Sequence, residues 1–432
     1  MDDSIFSPNV KMTPWWWEWA PREEPSQPVL PSDTEVAIVG SGFTALNAAL
    51  TLARAGRQVV VLDSGAPGFG ASSRNGGQVG SGNQRFTVRA LVKMFGEKHA
   101  KALLEEGIAA LRYVGELIES EGIECHFQRV GRFRGANRPD HYDPMARDHQ
   151  DLSRLSGVEF HMVPRAEQYS EIGTDFYHGG AVLPADASVH PALYHQGLLE
   201  KVREAGVAVR PFTKVLNLTR ERQRVALTTE RGELSAGDAI VATNGYTTAL
   251  TPHYDARVQR IPSAIIATEP LEPEVMDRIM PKGRVIGETR RVFYYYRPCP
   301  QRRRVLFGGR VSSGGHRLMD FRHLYRGMTQ IFPDLLGVKI THCWTGYTGY
   351  TRDTLPHAGR QNGIHHAMGY CGSGVARASY LGHKLALTLL GDAQGKTAWD
   401  EHEFRPFLFP SATRALVPAA VAWMRLRDTL NL

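Results

Sequence analysis

The stretch VAIVGSGFTALNAALTLARAGRQVVVLDSG, residues 36 to 65, limits the fold of this chain more than any other. Val36 to Val39 is a short apolar run suited to a strand buried on both faces, and Gly40, Gly42 and Ala45 occupy the three small positions of a dinucleotide-binding turn. Gly40 permits the turn, Gly42 lets a pyrophosphate approach the backbone, and Ala45 lets the helix opening at Phe43 and Thr44 pack closely on the sheet. The free N–H groups of that helix start face the anion. Gly56 stops the helix, and QVVVLD adds a second buried strand that closes on Asp63 and Ser64. Asp63 stands about 20 residues past the glycines, where a carboxylate grips a ribose hydroxyl and disfavours a 2′-phosphate. The competing reading, a βαβ unit whose glycines only make a turn, ignores the correct order and spacing of all five parts.

Two later segments decide which dinucleotide. SGAPGFGASSRNGGQVGSGNQRF, residues 64 to 86, is far longer than an ordinary strand-to-helix connection and leaves the carboxyl end of a nucleotide-binding strand, where ligands sit. Ser72, Ser73, Arg74, Asn75 and Gln78 suit a cofactor's ring and linker, and Gly76 and Gly77 allow close backbone approach. HHAMGYCGSGVARASYLGHKLALTLLG, residues 365 to 391, is again strand, glycine loop and long helix, the helix starting near Val375. A nicotinamide fold has little need of a second positive helix end. A flavin does: hydride reduction leaves negative charge near its N1 and C2 carbonyl, which amides of Gly372, Ser373 and Gly374 would stabilise. A structural turn before a core helix is the alternative.

The 432 residues suffice for two or three domains, at globular apolar and charged fractions. Four scattered cysteines without CxxC spacing argue against a disulfide framework or zinc site, and His178, His190, His357, His365 and His366 lack ligand spacing, so no metal is assigned. The formal charge is +7, concentrated in part at QRRR (301 to 304) and RLRD (425 to 428), yet no nucleic-acid recognition signature accompanies it. With neither a signal-like start nor a run approaching about 20 apolar residues, a cytoplasmic location without an integral membrane segment is expected.

The expected division is an aromatic arm over 1–32, a discontinuous nucleotide-binding unit over 33–95, 185–254 and 340–395, a substrate unit over 96–184 and 255–339, and a helical tail over 396–432. Leu103, Leu104, Ile108, Leu111 and Val114 mark a helix over about 96 to 120 that leaves the nucleotide unit. DAIVATNGY, with Thr243, Asn244 and Gly245 at its end, fits a return to the parallel sheet. SAIIATEP, RVFYYYRPCP and RVLFGGRV read as an antiparallel sheet, with QRRR as a solvated turn. Trp15, Trp16, Trp17 and Trp19 read as pins of an irregular arm on the core, with a membrane or partner surface as the alternative.

Taken together, the aromatic arm, GASSRNGGQ, IVATNGYT, FYYYRPCPQRRRVLFGGR, WTGYTGYTRDTLPHAG and GYCGSGV resemble the D-amino-acid-oxidase-like flavoproteins over nearly the whole chain, most of all the γ-glutamylputrescine oxidoreductase subgroup. The resemblance implies an α/β fold: a Rossmann-like FAD-binding domain of glutathione-reductase type with a second α+β substrate domain on a mixed sheet. It implies FAD with its ADP part at Gly40, Gly42, Asp63 and the strand around Val215, and its isoalloxazine between Ser72–Gln78 and Gly372–Val375. Two departures stand out. Ser373 replaces the histidine common between the last two glycines of the closing loop, and neither a histidine near Arg74 nor a cysteine in GYTGYTRD offers covalent attachment, so noncovalent FAD is expected. The implied reaction oxidises the C–N bond of an amine or amino acid, with oxygen or another carrier as acceptor. A γ-glutamyl amine is one expected substrate and an N-methyl amino acid the alternative; an NAD-linked dehydrogenase and a non-catalytic flavin-binding subunit are the other rivals. Substrate-side candidates are Tyr295 and Arg297, two apart on one strand face, with Tyr347 and Arg352. Arg297 could pair a substrate carboxylate bidentately.

Overall fold

The computed structural model describes residues 5–26, 29–81, 86–311 and 317–430; the expectations for the ends of the arm and tail, for 27–28, and for the loop at 82–85 lie outside them. Two large sheets organise the described chain. The first runs in the order Val215–Glu221, Arg224–Thr229, Gly232–Val241, Asp33–Val39, Val59–Leu62, Ala208–Arg210, with Ile364–Met368 and His357–Gln361 branching from Gly232–Val241. Its central register is parallel, Val36 opposite Val59 and Asp238 opposite Val36, and every residue of Val59–Leu62 is buried. A continuous apolar run therefore forms a two-sided strand here, as the parallel environment requires. Helices Phe43–Arg54 and Gly374–Leu389 cross on one face, where a Cβ on Gly382 would lie 2.2 Å from the Thr44 carbonyl oxygen. Only glycine lets these two helices approach so closely.

The second sheet runs Phe6–Lys11, Ile340–Tyr350, Gln259–Thr268, Val305–Arg310, Tyr295–Pro298, Val285–Glu288, Arg132–Gly135, Gly180–Leu183, His161–Val163. Most of its pairs are antiparallel, while Val285–Glu288 with Arg132–Gly135 and Phe6–Lys11 with Ile340–Tyr350 are parallel. Three segments differ from their sequence assignment. Ile340–Tyr350, given to the nucleotide unit, pairs with Gln259–Thr268 along its length, because its aromatic and small residues alternate against that strand. Glu97–Ser120, given to the substrate unit, buries Leu103, Leu104, Leu111 and Val114 in the same core as the nucleotide-sheet helices. Periodicity says that a helix needs an apolar partner, not which one. The arm contributes a strand as well as pins: Trp16 is fully buried, whereas Trp19 stays 46 % exposed.

Candidate active site

Both glycine loops open onto one cavity of about 870 Å³ between the two sheets. At the first loop Gly40 has φ +100°, and a Cβ there would sit 3.1 Å from the Ala242 carbonyl oxygen. Phe43–Arg54 begins without a side-chain cap on its own N-cap residue; Phe43 N–H donates to Ser72 Oγ at 3.0 Å, while the amides of Gly42, Thr44 and Ala45 make no hydrogen bond among the described residues. Asp63 accepts from Ser41 N–H (2.8 Å), Ser41 Oγ–H (2.6 Å) and Gly65 N–H (3.0 Å). Burial raises its carboxyl above the usual range, with the Ser41 hydroxyl the main opposing influence.

The second loop mirrors the first. Gly372 has φ +101°, Ser373 N–H donates to Tyr370 O at 3.0 Å, and the amides of Gly372, Gly374 and Val375 are left without a partner among the described residues. One of the three amides expected to face a ligand is thus spent locally, and Val375 supplies one in exchange.

Between these ends, the turn Ala71–Arg74 and the residues after it are fastened from behind. Trp17 Nε1–H donates to Ser73 Oγ (2.8 Å), Trp344 Nε1–H to Arg74 O (2.8 Å) and Trp16 Nε1–H to Asn75 O (2.9 Å). Three indoles hold three consecutive residues. Arg74 also donates to Phe69 O and Thr345 O, and Gln78 to Ile286 O and Tyr296 O.

Of the residues expected to hold a cofactor, Gly40, Gly42, Phe43, Thr44, Asp63, Ser64, Ser72, Arg74, Asn75, Gly76, Gln78, Val215, Thr243, Asn244, Gly372, Ser373, Gly374 and Val375 line the cavity. Ala45, Ser73, Gly77 and Gly245 do not: they belong to its frame, Gly77 because a Cβ there would meet the Val189 carbonyl oxygen at 2.2 Å. On the substrate side Tyr295 and Tyr347 line the cavity, and Arg297 and Arg352 do not. Arg297 is 3 % exposed and its guanidinium donates to Gly77 O (2.8 Å), Val189 O (2.9 Å) and Pro298 O (3.0 Å), so the same strand face that shows Tyr295 to the cavity turns Arg297 beneath the loop. Burial holds that guanidinium down at about 10. Arg352 is exposed on the loop that follows Ile340–Tyr350.

A model of the family "DAO: FAD dependent oxidoreductase" matches residues 35–387. The chain belongs to that family. It is 32 % identical to "Probable oxidoreductase OrdL" of Rhizobium meliloti (strain 1021), over 96 % of this chain and 97 % of that one. It is 28 % identical to "Gamma-glutamylputrescine oxidoreductase" of Escherichia coli (strain K12), over 92 % and 93 %. Among solved structures, glycine oxidase from Geobacillus kaustophilus superposes with a TM-score of 0.72 at 20 % identity, covering 88 % of this chain and all of that one.

The site of this FAD dependent oxidoreductase fits its cofactor on its own terms. Unbonded amides at two helix starts, a backbone cradle that a Cβ on Gly40 or Gly42 would fill, and a buried carboxylate at the end of the second strand are what a diphosphate, a ribose and a flavin ring require. All four cysteines are buried and free, and Cys371 donates to Gly369 O rather than lining the cavity.

Sequence reading missed several lining residues. Tyr246 stands in the quoted IVATNGYT but was not singled out; its ring meets Tyr347 edge-on at 5.6 Å, and Tyr347 N–H donates to its hydroxyl at 3.4 Å. Ser263 shares a hydrogen bond with the Tyr295 hydroxyl (2.9 Å), and Arg310 donates to Thr348 Oγ1 (3.0 Å). Glu288 takes two bonds from Arg290, at 2.6 and 2.7 Å, and one from the Tyr177 hydroxyl at 2.9 Å. Met424 of the C-terminal helix Pro410–Leu430 also reaches the lining. For Ser263 and Arg310 the only signal was alternation on strands whose partners were unknown, and for Tyr246 and Met424, which lie off the strands, there was none. Among the described residues there is no metal-binding cluster and no helix long and apolar enough to cross a membrane.

Proposed function

We propose that this enzyme oxidises the C–N bond of a small amine or amino acid and that a γ-glutamyl amine is the preferred class. The observation that carries the reading is the meeting of two ligand-free helix starts on one cavity whose far wall is a sheet face of tyrosine, serine and arginine. FAD, when bound, would supply the acceptor for a hydride from the carbon bearing the amine; the nitrogen lone pair would become the second bond of an imine, which water would split into a carbonyl compound and an amine.

The chain's own part is placement and dryness. The amides of Gly372, Gly374 and Val375 present positive charge where negative charge develops. Tyr295, fixed by Ser263, and Tyr347, fixed by Tyr246, form the aromatic wall against which an amine would lie. Neutral phenols favour the uncharged amine, the form whose lone pair assists hydride loss; burial raises the Tyr295 hydroxyl further above its ordinary range. Buried cysteines support noncovalent FAD. The γ-glutamyl preference rests on the likeness to the Escherichia coli relative and on the size of the cavity, about 870 Å³.

The test is the visible spectrum of the purified protein, followed anaerobically while amines, N-methyl amino acids and γ-glutamyl amines are added. Flavin bands that bleach with a γ-glutamyl amine are expected, and readmitting air then separates an oxidase from a dehydrogenase. A colourless protein that FAD does not reconstitute would end the reading.

A further inference from the structure

Most charged groups on the cavity wall are already matched. Arg132 pairs with Asp186 at 2.6 Å and donates to Gln78 Oε1 at 2.9 Å; Arg290 pairs with Glu288; Arg74 is spent on backbone carbonyls. Arg134 is different. It lies two residues beyond Arg132 on strand Arg132–Gly135, opposite Gly287, and lines the cavity, yet its guanidinium has no hydrogen-bond or ion-pair partner among the described residues. Burial pulls it below the usual arginine range, with Asp148 the principal opposing charge. Arg134 is half-buried, and an unmatched guanidinium on a cavity wall is available to pair with an anionic ligand.

Asp148 stands near by on helix Pro139–Ser156 and also lines the cavity. One of its oxygens, Oδ1, caps the helix Val88–Phe95 by accepting from Val88 N–H at 2.8 Å; it forms no ion pair with Arg134. The neighbouring wall is apolar, with Phe86, Leu104 and Leu152. A cation and an anion without an ion pair between them thus line the cavity together with His149, whose Nδ1 meets Met145 O at 2.8 Å and whose imidazole is held below its usual range by burial.

We infer that Arg134 and Asp148 form a head-group site for an α-amino-acid zwitterion, the carboxylate on Arg134 and the ammonium on Asp148. This rests on the proposed function and deepens it. An ammonium paired with Asp148 is protonated and so is not the amine that loses hydride; the site reads the remote end of an elongated substrate, while the reacting amine lies against the tyrosine wall. A γ-glutamyl amine carries such a head, and a simple N-methyl amino acid has no remote one.

The test is anaerobic calorimetry on the FAD-loaded protein with three probes: γ-glutamylethylamide, which has the whole head; its analogue without the ammonium, 5-(ethylamino)-5-oxopentanoate; and N-ethylbutanamide, which has neither charge. The wild type is expected to bind the first at least tenfold more tightly than the second and the second at least tenfold more tightly than the third. R134M is expected to erase the second step and D148N, which keeps an oxygen for Val88 N–H, the first. γ-Glutamylethylamide should leave the flavin bands unbleached. Equal binding of the three probes by the wild type overturns the inference without any variant; so does bleaching by γ-glutamylethylamide, or both preferences surviving in R134M and D148N proteins of normal flavin content. Failure of every amine to bleach the flavin while the probe ranking holds would instead remove the proposed reaction and leave the head-group site standing.

Discussion

Helix starts in this molecule are of two kinds. Two starts are closed by the side chain of their own N-cap residue: Thr87 Oγ1 accepts from Ala90 N–H, and His190 Nδ1 accepts from Leu193 N–H. The starts at Gly42 and Ser373, both on the cavity, are not closed by their own N-cap residue: Gly42 has no side chain to offer, and Ser373 has a hydroxyl that makes no capping bond. A cap is worth about 1 kcal/mol, so leaving it unmade at two half-buried positions is a sacrifice of stability that a bound anion or flavin restores.

Acid should strain the closed kind first. His190 and His195 are fully buried, and burial depresses each imidazole to about 3. Both stay neutral in the fold while the unfolded chain takes up protons below about pH 6.5, so stability present above that value is lost as pH falls from about 6.5 toward 3. Between pH 7.5 and 5.5 the loss is about 1.4 kcal/mol for each histidine, roughly 3 kcal/mol together, measurable as a drop in the urea midpoint. Replacing His190 by asparagine keeps a capping oxygen and removes one titration, so it should cut the loss by about 1.4 kcal/mol over that range; an unchanged slope would refute the assignment.

The Gly40→Ala substitution attacks the open kind. It adds strain of about 1–3 kcal/mol at φ +100°, so FAD affinity should fall roughly 10- to 100-fold in equilibrium dialysis. A direct contrast follows from Thr87→Ala against Ser373→Ala: the first should cost about 1 kcal/mol of stability with flavin retained, the second under about 0.5 kcal/mol. Equal losses would mean that Ser373 caps after all. Smallest is Ser373→Asp. A carboxylate at this end opposes the negative charge of the reduced flavin by about 0.3–1 kcal/mol, which lowers the two-electron potential by roughly 10–20 mV in a dye-equilibration titration.

The open starts were legible in the sequence because each is a local event: strand, glycines and helix lie within about 20 residues, and their spacing alone places the amides. The opposite wall was not. Tyr295 and Arg297 are two apart on one strand and alternation put them together correctly, but whether a side chain meets the cavity or the back of a loop depends on what lies across the sheet. Gly77 lies there, 220 residues earlier, and its carbonyl claims Arg297. Arg134 and Asp148 were invisible for the same reason: nothing within either segment announces that a strand and a helix will leave one cation and one anion unmatched. The Ile340–Tyr350 strand was misplaced because its neighbour in sequence is the closing loop, while its neighbour in space is Gln259–Thr268.

The three indoles behind residues 73 to 75 set an order on biosynthesis. Trp16 and Trp17 leave the ribosome more than 300 residues before Trp344 and the strand that pairs with Phe6–Lys11. Until that late strand arrives, the amino-terminal arm has no edge to join and the segment it fastens has no backing. Contacts this distant in sequence form slowly. The flavin cradle is therefore complete only after Trp344 has emerged, and a substitution at Trp16 or Trp17 alters the backing of the cofactor site.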